Sequence, residues 1–422
     1  MKDPGRAGLV LVVVVALSLY YLRTWPTVAA FVLAIDHCDL LFCDFVRHFL
    51  PMGSTLFQDK MPVAGYYYSA FFAVLLSLPA QFPPNVALWI WGALNVAGTA
   101  VLFAIPWREF VRGSAWRAGI YAFLFLTSMP LLHNFKWGQV SVFMVLTMIG
   151  SLELYRRGHR LSSGVVLAVG ASIKYYPALC VVYYVLKREM RILSAFALTV
   201  LILAIGVPVA ALGPSEWWHF EKAAIAALRA ASASVAADPN SQYFPHVAMR
   251  LLEPFHLAGG GARLMLQAID AAIVAANFGL LWRLTASERR HQTALCAAVL
   301  VLSTPFLLET SWPHYFVFLP FCAIVLLNEA SAQTSGRGRV ALASILLAVG
   351  LSSVFAFNAV AGWQVFSGLG FLLWSDSLLL AAAHLVGGFK TPARGGKGAE
   401  SDGRGDDFRH ELADREARRQ PG

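Results

Sequence analysis

Ionisable side chains are scarce before the tail of this chain, yet three carboxylates crowd together in the stretch Ile35-Asp36-His37-Cys38-Asp39-Leu40-Leu41-Phe42-Cys43-Asp44-Phe45. A carboxylate held at the edge of an apolar span can take the proton from a hydroxyl group as that hydroxyl attacks an electrophilic carbon. Asp36, Asp39 and Asp44, with Asp59 in the same loop, are the candidate bases. Lys174 is an isolated lysine in an apolar stretch. Embedding it costs about 2.5–3.5 kcal/mol on insertion scales, so an isolated lysine here calls for a purpose. A helix-end lysine that snorkels to the interface is the alternative. His314 and Lys136 are further candidates for substrate contacts, followed by His133 and Gln139, with interfacial or capping roles open for each. Of the run Tyr66-Tyr67-Tyr68, which reads either as a groove lining or as an aromatic belt, Tyr67 is the substrate-binding candidate.

Cys38 and Cys43, together with His37 and the aspartates, invite a metal reading, but their spacing matches no recurring zinc pattern. If the loop faces an oxidising compartment, a disulfide between them is the better reading. Cys180, Cys296 and Cys322 lie in apolar runs and read as small hydrophobes. No phosphate-binding glycine loop, dinucleotide fingerprint, metalloprotease His pair or nucleophile elbow stands at a credible position, so no cofactor is expected.

The elements that position these groups must be membrane helices. The chain is 58% hydrophobic and 14% charged, with a mean hydropathy of +0.61, far from the balance of a soluble domain. A helix needs about 20 mostly apolar residues to cross a bilayer, and roughly ten to thirteen such runs are legible. The expected fold is therefore all-α and polytopic, with an integral membrane domain over 1–388 and a disordered cytoplasmic tail over 389–422, where Gly, Arg, Asp and Glu take over. The opening segment, Met1 to Arg6 and then an apolar run from Gly8 to Tyr21, lacks a small-residue cleavage site and reads as a retained first helix.

The net charge of +9 is not a nucleic-acid stripe, because the cations fall in short clusters between apolar runs. Arg108, Arg112 and Arg117, then Arg156, Arg157 and Arg160, then Lys187, Arg188 and Arg191, then Arg289 and Arg290, then Arg337 and Arg339 all read as cytoplasmic. With the N-terminus also inside, the connections at 36–68, 133–139, around Lys174, 213–261, 309–314 and 358–364 share the outer face of a plasma membrane. They carry nearly all the plausible reacting groups. Two pieces are too short to span: Tyr66 to Ala80, and Leu161 to Leu186, which flanks Lys174 with two half-length runs. The connection from Gly213 to Gly261 reads as a surface helix followed by a polar loop, an arrangement suited to capping a cavity.

Several segments in this order resemble the integral-membrane glycosyltransferases of the GT-C class, and in detail glycosyltransferase family 87, the polyprenol-phosphate-mannose-dependent alpha-mannosyltransferases. Asp44-Phe45 resembles the family's catalytic aspartate, and Gly138-Gln139-Val140-Ser141 its Gly-Gln motif opening a helix. Gly164 through Ser172-Ile173-Lys174-Tyr175-Tyr176-Pro177 resembles its small-residue helix ending in Lys-x-x-Pro. Asn240-Ser241-Gln242 with Arg250-Leu251-Leu252, and Ser311-Trp312-Pro313-His314-Tyr315, extend the likeness over roughly 36–328. The chain departs from it at His48, where members commonly carry Tyr, at Ser141, at Pro313, and in the order Asn-Ser-Gln.

The resemblance implies transfer of a hexose, mannose in the first place, from a polyprenyl-phosphate donor to a lipid-linked or glycan acceptor. Asp44 would be the base of an inverting displacement, with no metal and no protein partner specified. Arabinofuranose is the alternative sugar. A secondary transporter, which would show two related halves, and a non-catalytic lipid-handling protein are the alternative functions.

Overall fold

The chain is described by a computed structural model that covers residues 38–388 apart from Asp39, Glu288, Arg290 and Ala361. The expected first helix, Asp36, His37, Asp39 and the tail lie outside the described residues. Every element among the described residues is helical, and the sole β-type contact is an isolated bridge between Ser128 and Ser353. This is an all-α polytopic membrane protein, as its composition requires.

Among the described residues, four helices are long and apolar enough to cross a bilayer: Pro84–Val111, Met190–Leu212, Gly260–Thr285 and Pro313–Ser331. They occupy different depths of the bundle. The window within Pro313–Ser331 is 78% buried in protein and that within Met190–Leu212 only 11%, so the former is the central helix and the latter a peripheral one. The remaining apolar runs are short helices, including Ala70–Gln81, Arg160–Ile173 and Tyr176–Leu186. Pieces of that length leave backbone polar groups at their ends, which must be satisfied inside protein rather than in lipid.

Before the central region the elements are α1 (Leu50–Asp59), α2 (Ala70–Leu76), α3 (Pro84–Pro106), α4 (Ala115–Leu126) and α5 (Met129–Trp137). A hairpin follows, built from α6 (Ser141–Arg156) and α7 (Arg160–Ile173), and it does the most to place the polar groups. Arg156, Arg157 and Arg160 mark its turn, where Gly158 takes φ +84°. With 16 residues in α6 and about 1.5 Å of rise per residue, Gln139 stands about 24 Å from that basic turn. The return along α7 brings Lys174 back to the level of Gln139. The basic cluster and the candidate reacting groups thus occupy opposite ends of one hairpin.

Small residues allow this packing. A Cβ on Gly170 would fall 2.0 Å from Thr147 Oγ1 on α6, and one on Gly164 would fall 2.5 Å from the carbonyl oxygen of Ile192. Inside the hairpin, Ser151 and Ser163 both reach the hydroxyl of Tyr184, at 2.7 and 2.8 Å. That hydroxyl belongs to α8 (Val181–Leu186), which follows a 3-10 turn over Tyr176–Cys180. The chain after Lys174 therefore runs straight back to the basic end.

The next elements are α9 (Met190–Val200) and α10 (Val207–Leu212), joined by a π-helical turn, then α11 (Pro214–Val235) and α12 (Phe244–Leu252). The surface helix expected after Gly213 is α11. The polar loop beyond it is shorter than expected, because Phe244 to Leu252 coil again.

Replacing Gly164 by Leu should force α7 away from α9 and cost roughly 1–3 kcal/mol, read as a lower midpoint in thermal unfolding of the detergent-solubilised protein. Gly119→Ala, at a position with nothing within 4 Å of the added carbon, is the matched control. Equal midpoints for the two variants would mean that α7 and α9 are not in close contact.

Candidate active site

Asp44 is presented by a short, tightly anchored segment. It precedes a π-helical turn over Phe45–Phe49 but makes no capping hydrogen bond to that turn, so its carboxylate is left for other partners. Cys43, immediately before it, forms a disulfide with Cys38. Phe45, immediately after it, stacks on Trp91 with centroids 4.8 Å apart. The ammonium of Lys136 donates to the carbonyls of Cys38 and Leu40. Lys136, a candidate for substrate contacts by its sequence, is therefore fully buried under the loop and is not among the residues that line the cavity.

Gly138 explains the close approach of the next partner. It ends α5 in the left-handed region at φ +65°, and a Cβ there would fall 2.9 Å from the Cβ of Phe42 and 3.1 Å from that of Phe45. Glycine thus meets two requirements, a helix C-cap and room for the Asp44 segment. Its carbonyl accepts from the Trp91 indole at 2.8 Å. Gln139, the next residue, donates from Nε2 to Asp44 Oδ2 and accepts at Oε1 from the Tyr68 hydroxyl at 2.7 Å.

Lys174 completes the row. Its ammonium lies 3.3 Å from the Tyr68 oxygen and sits over two rings, 4.7 Å from the Tyr68 centroid and 4.3 Å from that of Tyr315. A hydrogen-bonded path therefore runs from Asp44 through Gln139 and Tyr68 to Lys174.

These groups open on a cavity of about 340 Å³. Its wall includes Asp44, His48, Tyr67, Tyr68, Gln139 and Lys174 on one set of elements, and Asp238, Asn240, Trp312, His314 and Tyr315 on others. Leu228 and Ala231 bring α11 over it. The connection after α11 is pinned in place: the Arg250 guanidinium donates to the carbonyls of Asp238 at 3.0 Å and Ser241 at 2.6 Å. Trp363 donates to the Asn240 side chain at 2.7 Å, and the Gln242 backbone donates to the Ser311 carbonyl at 2.7 Å. Three connections distant in sequence, those carrying Asn240, Ser311 and Trp363, meet at this wall.

His133 and His314 stack on one another at 5.5 Å, and His133 also stacks on Trp363 at 4.8 Å. Among the described residues neither ring has a hydrogen-bond partner at either nitrogen. Burial, with the Lys136 charge beside it, pushes His133 down to about 3, so its ring is neutral at ordinary pH.

The two ionisable groups at the ends of the row are shifted towards each other. Burial raises the Asp44 carboxyl to about 6, against the opposing pull of His48, the Gln139 hydrogen bond, Lys174 and Arg47. Burial lowers the Lys174 ammonium to about 7, with the Asp44 charge holding it up. A base that ionises near neutrality beside a cation that is easily lost suits proton transfer coupled to the departure of an anion.

More than half of the chain, residues 66–311, matches glycosyltransferase family 87. The chain belongs to that family. The matched interval carries Tyr68, Gln139 and Lys174, and Asp44 lies just before it. Two curated relatives come from Mycobacterium tuberculosis. One, a polyprenol-phosphate-mannose-dependent alpha-(1-2)-phosphatidylinositol mannoside mannosyltransferase, is 22% identical over 82% of this chain and 80% of its own length. The other, a polyprenol-phosphate-mannose-dependent alpha-(1-2)-phosphatidylinositol pentamannoside mannosyltransferase, is 25% identical over 70% of this chain and 66% of its own length. No solved structure matches the chain.

Of the candidates named from the sequence, the structure of this glycosyltransferase brings Asp44, Lys174, His314, Gln139, His133 and Tyr67 to one cavity. Tyr68, the link in the row, stood in sequence only as the last of three tyrosines. His48 was legible only as a departure from the family pattern. Trp312 and Tyr315 lay in a recognised motif without an assigned role.

The Gln139 bond favours the ionised carboxylate, so its removal must raise the Asp44 midpoint. In infrared difference spectra assigned by Asp44→Asn, the carboxyl band should vanish as the pH rises through about 6, and in Gln139→Leu it should persist to higher pH. A band that titrates in the ordinary carboxylate range would remove the claim of a desolvated carboxyl.

Proposed function

We propose that the protein moves mannose from a polyprenyl-phosphate donor to a hydroxyl of a lipid-linked or glycan acceptor, at the outer face of the plasma membrane. The observation that carries this reading is the row Asp44, Gln139, Tyr68, Lys174 along one cavity wall. In a polyprenyl-phosphate sugar the anomeric carbon lies next to a phosphate at headgroup level, so the site must lie at a membrane boundary and offer a base and a cation together. Asp44 takes the acceptor proton as the hydroxyl oxygen attacks the anomeric carbon. The carbon–phosphate oxygen bond breaks on the opposite side, and Lys174, backed by the faces of Tyr68 and Tyr315, receives the phosphate charge. One displacement inverts the anomeric centre.

Two features support the outer face. The basic cluster Arg156, Arg157 and Arg160 stands at the far end of the α6–α7 hairpin from the cavity, as the positive-inside rule asks. The Cys38–Cys43 disulfide beside Asp44 suits an oxidising compartment. In this arrangement 1–388 form the membrane catalytic domain, and 389–422, with the N-terminus, are cytoplasmic.

Membranes supplied with radiolabelled polyprenyl-phosphate mannose and a mycobacterial phosphatidylinositol mannoside acceptor should show transfer. Asp44→Asn should lower it about 10²–10⁴-fold, and Lys174→Met should do comparable damage. The rate should rise through about 6 as Asp44 ionises and fall above about 7 as Lys174 loses its charge. Lys174→Arg, which stays charged, should extend the alkaline side. Transfer that survives Asp44→Asn would take the role of base away from this residue.

A further inference from the structure

After each transfer the proton taken from the acceptor remains on Asp44, which must lose it before the next turnover. Gln139 donates to Oδ2, so the proton is carried by Oδ1, the oxygen without that donor. Oδ1 faces His48, whose Nε2 is 4.0 Å away. The other ring nitrogen, Nδ1, is 2.8 Å from the carbonyl oxygen of Ala64. A carbonyl can only accept, so Nδ1 carries the hydrogen, and in the neutral ring Nε2 is the nitrogen left to accept a proton from the carboxyl.

The ring has a shaped slot. Gly65 passes against it at φ +80°, and a Cβ there would fall 2.3 Å from His48 Cε1. Backbone at 64–65 thus fixes both the plane of the imidazole and its tautomer. The His48 side chain is 29% exposed and lines the cavity, so it also meets water. The other groups beside Asp44 are poor acceptors: Arg47 is cationic, as is Lys174 in the state that receives the phosphate, and the Tyr68 hydroxyl is occupied by Gln139. Asp238 and Tyr67 line the same cavity without a contact to Asp44 of the kind His48 makes.

We propose that His48 is the proton relay of this site, a role that rests on the reading of Asp44 as base. The Asp44 Oδ1–H bond breaks as the Nε2–H bond forms, across one bridging water or after a small approach when substrate fills the cavity. The resulting imidazolium then gives its Nε2 proton to cavity water. Carboxylate and neutral ring are both restored, and no other reactant is consumed.

The test compares wild type, His48→Ala, His48→Gln and Asp44→Asn in the transfer assay, with thermal midpoints to establish folding. His48→Ala and His48→Gln should each lose about 10-fold or more in kcat with the donor KM little changed. Added imidazole should restore His48→Ala in proportion to its free-base form and leave Asp44→Asn unaffected. Gln can accept no proton but can keep a hydrogen bond to Ala64. A His48→Gln variant with wild-type turnover, or a folded His48→Ala variant that imidazole does not rescue, would overturn the relay while Asp44 stays the base. Wild-type transfer that persists in Asp44→Asn would overturn the base and the relay together.

Discussion

The structure depends on placing a carboxylate and an ammonium in the same partly dry cavity of an apolar bundle. Desolvation opposes both charges, and either group alone would favour its neutral form. Here each is held by what surrounds it. Gln139 donates to the Asp44 carboxylate, Tyr68 joins Gln139 to Lys174, and two aromatic faces lie under the ammonium. The cost of burial leaves both groups near the point of proton exchange, the condition that the proposed base and anion-accepting cation need at neutral pH.

The rest of the fold serves that placement. The α6–α7 hairpin returns Lys174 to the level of Gln139; Gly170 lets its two helices close on one another, and Gly164 lets α7 close on α9. Gly138 lets the Asp44 segment approach α5, while the Cys38–Cys43 bond and Lys136 hold the segment from behind. On the other side, Arg250 and Trp363 fasten the connection after α11, so the wall that carries Asn240 and Asp238 is braced rather than left as a loose loop. Short helices and irregular turns, expensive in lipid, are tolerated here because protein covers their ends.

Much of the site was legible because polar groups are conspicuous in an apolar sequence. Lys174 stood out through the expense of embedding it, and Asp44 through its position after an apolar run and its likeness to a family motif. Lys136 shows where that reasoning stops. Scarcity marked it as a charge with a purpose, and the structure places its ammonium on backbone carbonyls under the Asp44 loop. His48 shows the converse, since one turn of helix beyond Asp44 it looked like a simple departure from pattern. Only the Ala64 carbonyl and the bare backbone at Gly65 give its ring a direction.

By itself the sequence determined the class of the protein, the approximate course of its helices, the segregation of basic clusters from candidate reacting groups, and the family. Those properties are written in local composition and short motifs, because the cost of apolar and charged residues in a bilayer is incurred residue by residue. The tertiary structure decided which of the polar groups meet. Gln139 and Asp44 are separated by 95 residues and Lys174 and Tyr68 by 106. Contacts of that span follow from how helices pack, where glycine admits a neighbour and which carbonyl claims a donor, and no local pattern records those choices.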